Sequence, residues 1–193
     1  MKPSFLRAQH PKSTLMPRID AFEMMIAAGM VGQRKVHGHR AQVHIGSDGD
    51  VVAFTRQGTV HTSKLPGALI EHLADHYRPT EGWMVLDGEW QKQEGRLYLF
   101  DLIRLDRAPP LDHLGFVARH TALTTRFVIG PHLSLLPILR TVEACWAMIQ
   151  DPSEYTEGLV FRSPDRAGFH DTSIARCRKS GAVFEPFRKK GKS

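Results

Sequence analysis

Lys35-Val36-His37-Gly38-His39-Arg40-Ala41-Gln42-Val43-His44-Ile45 is the stretch from which the rest of the chain can be ordered. Ala41, Val43 and Ile45 alternate with Gln42 and His44, a period of two that predicts a strand over Lys35–Ile45. Val51–Arg56 and Thr59–Thr62 are also rich in β-branched residues. The turn signals Ser47-Asp48-Gly49-Asp50 and Gln57-Gly58 separate them, which predicts an antiparallel meander.

Outward from this meander the period changes repeatedly. Ile19–Met30 reads as a short helix ending at Gly32. Leu65–Tyr77 reads as a helix with Leu69, Ile70, Leu73 and Tyr77 on one face. Met84–Trp90 and Arg96–Arg104 read as strands joined through Gln93-Glu94-Gly95, and Pro109-Pro110 closes that block. Leu114–Leu123 reads as helix and Phe127–Ile129 as a short strand turned by Gly130-Pro131. Thr141–Gln150 reads as a helix with Val142, Cys145, Trp146 and Ile149 inward, stopped at Pro152. Leu159–Arg162 and Ile174–Arg178 are the last strands. Strands interrupted by helices without regular βαβ alternation predict an α+β fold with mainly antiparallel sheets.

The chain has 193 residues, 41% of them hydrophobic, which suits one domain with a sizeable core. The expected division is a domain over 1–187 and a basic tail over 188–193. No run of about 18 apolar residues predicts a membrane span, and no apolar segment near the start predicts a secretory signal. Cys145 and Cys177 form no CxxC pair, so two free thiols in a reducing cytoplasm are expected.

The net charge is +6, and it is uneven. Residues 1–18 hold Lys2, Arg7, Lys12 and Arg18 with no acid. From Arg176 to Ser193 seven bases face the single acid Glu185. Basic ends around a neutral body suit a polyanion such as nucleic acid.

Several chemistries are excluded by their motifs. Gly191-Lys192-Ser193 imitates the end of a phosphate-binding P-loop, but Pro186 stands where the first glycine is needed. GxSxG, HExxH and GxGxxG are absent. His37 and His39 are spaced to share one strand face with His44 nearby, but no further ligand stands at a metal-site spacing.

What remains is an ordered series of short motifs. They are Lys35-Val36-His37-Gly38-His39-Arg40, Thr55-Arg56-Gln57-Gly58, Leu86-Asp87-Gly88-Glu89 and Tyr98-Leu99-Phe100-Asp101. Then follow Glu157-Gly158-Leu159-Val160-Phe161-Arg162 and Arg176-Cys177-Arg178-Lys179-Ser180. Each alone is weak. In this order and spacing, from about Val31 to Ser180, they resemble the covalent nucleotidyltransferase superfamily of ATP-dependent DNA and RNA ligases and mRNA capping enzymes.

The resemblance implies an ATP-grasp-like adenylation domain of two mainly antiparallel sheets with flanking helices. It implies that Lys35 is the nucleophile that takes AMP from ATP, with Mg2+ or Mn2+ as cofactor. His37, Gly38, Arg40, Arg56, Glu89, Phe100, Val160, Arg176 and Arg178 would then bind the nucleotide, Phe100 by stacking on the purine with Tyr98 as its substitute. Glu157 and Glu89 would serve the metal. Arg40, Arg162, Lys179, Arg188, Lys189 and Lys190 would contact nucleic acid. The implied partner is nicked or broken DNA, RNA or a hybrid, bound by a cytoplasmic monomer without a membrane.

The residues agree with these roles chemically. An amine that attacks phosphorus must be unprotonated, and nearby positive charge disfavours the ammonium form. The sequence sets Lys35 beside Arg34 and within reach of Arg40. Gly38 lets the backbone pass close to a bulky ligand. Carboxylates such as Glu89 and Glu157 can take a ribose hydroxyl or a metal ion.

Three departures from the family pattern stand out. His37 replaces the aspartate of KxDG, which looks like the second RNA ligase family. Arg162, Arg176 and Arg178 replace lysines, which keeps the charge and adds a planar fork suited to phosphate oxygens. Arg40, Thr55–Gly58 and Leu86–Glu89 look more like DNA ligases. About thirteen residues follow Ser180, too few for the OB-fold domain such enzymes commonly carry, so a minimal core is expected with basic ends in place of that clamp. The alternatives are a capping-type guanylyltransferase that uses GTP and a non-catalytic nucleic-acid-binding remnant.

Overall fold

The computed structural model describes residues 4–6, 13–105, 111–165 and 175–179, and it is α+β with two sheets. The first sheet contains β1 (Ser13–Leu15), β2 (Val31–Val36), β8 (Thr156–Arg162) and β9 (Ala175–Arg178), in the order β1-β9-β8-β2. The second contains β3 (His39–Gly46), β4 (Val51–Phe54), β5 (Trp83–Gln91), β6 (Arg96–Leu105) and β7 (Leu133–Leu135), in the order β4-β3-β5-β6-β7. Pairing is antiparallel except for β1 with β9 and β6 with β7.

Each sheet buries one face under helices. Ala41, Val43 and Ile45 of β3 pack with Leu69, Leu73 and Tyr77 of α2 (Gly67–Tyr77), as the alternation of that strand predicts. Phe22 of α1 (Ile19–Ala27) and Cys145 and Ile149 of α4 (Val142–Gln150) pack with Leu159, Phe161 and Cys177 of the first sheet. A third cluster of Val36, Tyr98, Phe100 and Leu136 joins the two sheets. Helix α3 (Phe116–Arg126) packs on β6.

The deciding stretch differs from its sequence reading in one important way. Lys35–Ile45 is two strands in two sheets, with a bend at His37-Gly38 between β2 and β3. The bend is held by His37 N–H donating to the Tyr155 carbonyl at 2.9 Å and by Gln91 Nε2 donating to the His37 carbonyl at 2.8 Å. Gly38 passes so close to β5 that a Cβ there would lie 2.6 Å from the Trp90 carbonyl oxygen. The same bend separates His37 and His39, which therefore do not share a strand face.

Three other expectations are corrected. Phe127–Ile129 forms no strand, because the Tyr77 hydroxyl takes up the Val128 backbone, receiving its N–H at 3.0 Å and donating to its carbonyl at 3.4 Å. The strand lies further on, at β7. Thr59–Thr62 contributes a single bridge, Phe54 with Val60, followed by a 3-10 turn over Thr62–Lys64. The opening strand β1 gave no sequence signal. The expected domain boundary at 187 and the tail over 188–193 lie outside the described residues.

Candidate active site

The two sheets face each other across a cleft of about 400 Å³, within the usual range of small-molecule sites. One wall comes from the first sheet and carries Lys35, Glu157, Val160, Arg162, Arg176 and Arg178. The other carries Arg40, Glu89 and Phe100, with Thr55 and Arg56 from the turn after β4. The topology thus gathers motifs that are scattered along the chain.

Glu157 owes its position to a local irregularity. Strict alternation along β8 would turn it to the face of Leu159 and Phe161, which are core residues. The pairing register shifts between Lys35 and Val36, and Gly158 adopts φ +150°. A Cβ at Gly158 would sit 2.0 Å from the Cys177 carbonyl oxygen, so β9 can approach here only against glycine. Glu157 consequently lines the cleft together with Val160 and Arg162.

Glu157 is buried and serves three partners. Lys35 Nζ donates to Oε2, and Arg178 forms an ion pair with Nε 2.7 Å from Oε1. His37 Nδ1 lies 3.9 Å from Oε2. The nearest partner of Lys35 is therefore a carboxylate and not the cationic flank expected from Arg34 and Arg40. Successive residues of a strand point to opposite faces, and Arg34 Nε donates to Thr156 Oγ1 at 2.8 Å while its guanidinium lies over Tyr98.

The opposite wall is tied internally. Arg40 forms a two-pronged pair with Asp87, including Nε to Oδ1 at 2.7 Å, and lies 5.2 Å from the Phe100 ring centroid. Arg162 lies 5.2 Å from the same ring, 4.7 Å from Phe116 and 3.5 Å from Asp101. Asp101 in turn receives a bidentate pair from Arg119, at 3.0 and 2.8 Å, with both side chains only 2% exposed. Asp87 and Asp101 stood inside quoted motifs but drew no role there. Arg119 gave no signal, because a helix arginine usually reads as solvated.

Glu89 is strongly displaced from its ordinary value. Burial, reinforced by the Asp87 and Glu157 carboxylates, pushes it up to about 7 against the opposing pull of Lys35 and Arg40. A cation beside the Glu89 carboxyl would favour its charged form and oppose the effect of burial. Among the described residues no group of three or more His, Cys, Asp or Glu could hold a metal by itself. Glu89 and Glu157 both line the cleft, so an ion held there would need waters or phosphate oxygens as its further ligands.

Some expected residues lie elsewhere. Lys179 donates to the Asp151 and Ser153 carbonyls, the latter at 3.2 Å, and is not part of the cleft wall. Tyr98 is also outside it; its hydroxyl donates to Glu94 at 2.8 Å. Arg176 lines the cleft and donates to Thr14 Oγ1 of β1 at 3.2 Å. Arg188, Lys189 and Lys190 lie outside the described residues. Among the described residues no helix is long and apolar enough to cross a membrane.

The fold is that of the nucleotidyltransferase domains of ATP-dependent ligases. The chain is similar to the ligase domain of M. tuberculosis LigD, with TM-score 0.60 and 22% identity over 77% of this chain and 53% of that one. It is similar to mycobacterial DNA ligase D complexed with ATP and MES, with TM-score 0.58 and 23% identity over 77% and 54%. An archaeal ATP-dependent RNA ligase matches with TM-score 0.50 and 15% identity over 88% and 48%. The chain spans about half the length of these structures. No protein-family model matches it, and no curated protein matches it in sequence.

Proposed function

We propose that this chain is the adenylation core of an ATP-dependent polynucleotide ligase that seals 5′-phosphate/3′-hydroxyl breaks in DNA or RNA. The observation that carries the proposal is the Lys35–Glu157 contact, set among arginines in a cleft between two sheets. The cleft supplies an amine, phosphate-binding cations and a carboxylate pair, which is the inventory in-line phosphoryl transfer needs.

In the first step the Lys35 amine, having lost a proton, attacks the α-phosphorus of ATP. An N–P bond forms, the bond to the bridging oxygen breaks, and pyrophosphate leaves. In the second step AMP passes to a 5′-phosphate end and frees the lysine. In the third a 3′-hydroxyl displaces AMP and closes the strand. Before the first step Glu157 holds Lys35 at the attacking position. Arg178 and Arg176 offer guanidinium forks to the phosphate oxygens. A Mg2+ or Mn2+ ion held by Glu157 and Glu89 would neutralise charge on those oxygens. Phe100 offers an apolar ring for the base, already flanked by Arg40 and Arg162.

Incubation with α-labelled ATP or GTP, followed by a denaturing gel, tests the first step. A covalent band with ATP alone is expected. A band with GTP alone assigns the chain to capping-type chemistry, and no band with either makes it a non-catalytic binding module. Sealing of nicked duplexes with DNA or RNA at each nick end then defines the substrate.

A further inference from the structure

A second cationic feature adjoins the cleft. Gly38 and His39 line it at the start of β3. Strand β3 lies between β4 and β5, and two lysines bear on its His39 end: Lys92, directly after β5, and Lys64, in the 3-10 turn Thr62–Lys64 that follows β4. On the β5 side His39 pairs with Trp90, and Lys92 stands directly after the strand. On the β4 side the chain turns back after Phe54. His61 N–H donates to the Ala53 carbonyl and Lys64 N–H to the His61 carbonyl, both at 2.9 Å.

Burial divides these groups in an informative way. His39, Lys64 and Lys92 are exposed, whereas His61 is 4% exposed. His61 hydrogen-bonds to the Phe54 carbonyl, and its Nε2 has no hydrogen-bond partner among the described residues. A buried polar nitrogen without a partner is uncommon, and it marks a place where water or a ligand completes the site. Glu94, the acid nearest to Lys92 in sequence, is engaged by the Tyr98 hydroxyl. The charges that bear on His39 are Lys64, His37 and Lys92.

We propose that His39, Lys64 and Lys92, backed by His61, form the rim over which the phosphate backbone of a nucleic-acid strand leaves the cleft. The proposal rests on the ligase reading for the identity of the strand. Three cationic or imidazole groups, brought together from the start of β3, the end of β5 and the 3-10 turn after β4, match a repeating anion better than a single phosphate. His39 belongs to the wall of the cleft, so a strand end placed near Lys35 leaves past this group. A triphosphate tail is the competing occupant, and the two differ in which step depends on the lysines.

The test uses the full chain and its K64Q/K92Q variant, with K64R/K92R as the charge-preserving control. Both lysines are exposed, and circular dichroism confirms an unchanged fold. Affinity for a labelled nicked duplex is measured from 50 to 200 mM salt. Each phosphate contact contributes roughly 0.9 to the slope of log affinity against log salt, so the slope should become shallower by about 1.8 in the glutamine variant. The arginine control should keep the wild-type slope, and lysyl-AMP formation from ATP should stay within about twofold in both. An unchanged slope in the glutamine variant overturns the proposal. So does a loss of lysyl-AMP formation without loss of nick affinity, which assigns the rim to the triphosphate. Absence of lysyl-AMP in the wild type strikes the ligase reading alone, and the rim is still judged by the slope.

Discussion

The two walls of the cleft handle positive charge differently. On the wall built from β2, β8 and β9, one carboxylate, Glu157, is shared by Lys35 and Arg178 with His37 close by. On the other side Arg40 pairs with Asp87 and Arg119 holds Asp101 bidentately, with Arg162 of the first wall reaching across to Asp101. Charge pairs that are buried and geometrically matched act as scaffold, since removing one partner strands the other. Cations that share one carboxylate have donors left for an incoming anion. On the proposed reading the first wall reacts and the second holds shape.

Substitutions on each wall should separate these roles. The largest effect is expected from Lys35→Ala, which should abolish the covalent nucleotide adduct on a denaturing gel. The thermal midpoint should stay near wild type, because Glu157 keeps Arg178. A persistent adduct would remove Lys35 as nucleophile. The variant should still seal a pre-adenylated nick, since the last step does not use the lysine.

Asp101→Ala should produce the reverse pattern. It leaves Arg119 and Arg162 without their carboxylate, a loss of about 3–5 kcal/mol for a broken buried pair, measurable by urea denaturation. Stability within about 1 kcal/mol of wild type would show that the second wall is not a scaffold.

Glu89 connects the two walls and should give a pH signature. Its carboxyl is pushed up to about 7, with burial as the main cause, whereas an unfolded glutamate titrates near 4.3. The folded state therefore binds more protons between these values, and this residue makes stability fall as pH rises through that window. Glu89→Gln should flatten the decline, so that the variant gains on wild type up to about pH 7 and holds its advantage above. Parallel stability curves between pH 4.5 and 7 would contradict the assignment.

The smallest effect is expected from Arg178→Lys. The lysine keeps the charge near Glu157 but replaces a two-pronged fork with a point charge, which should slow adduct formation by roughly tenfold, about 1.4 kcal/mol. Wild-type rates would mean that charge alone matters at this position.

Local order in the sequence was enough to mark most of the elements and the order of the motifs. Alternation over Ala41–Ile45 marked the core face of β3, and the spacing of Leu69, Leu73 and Tyr77 marked that of α2. The short motifs identified residues that the structure brings to one cleft, among them Lys35, Arg40, Arg56, Glu89, Phe100, Glu157, Arg162, Arg176 and Arg178. Which side chains face one another was decided only by the tertiary structure. The bend at Gly38 depends on contact with Trp90, and the turn of Glu157 into the cleft depends on β9 packing against Gly158. The pairing of Arg119 with Asp101 joins a helix to a strand. Periodicity reports how a residue relates to its neighbours along the chain. Close approach and charge pairing depend on segments distant in sequence, and no local pattern records them.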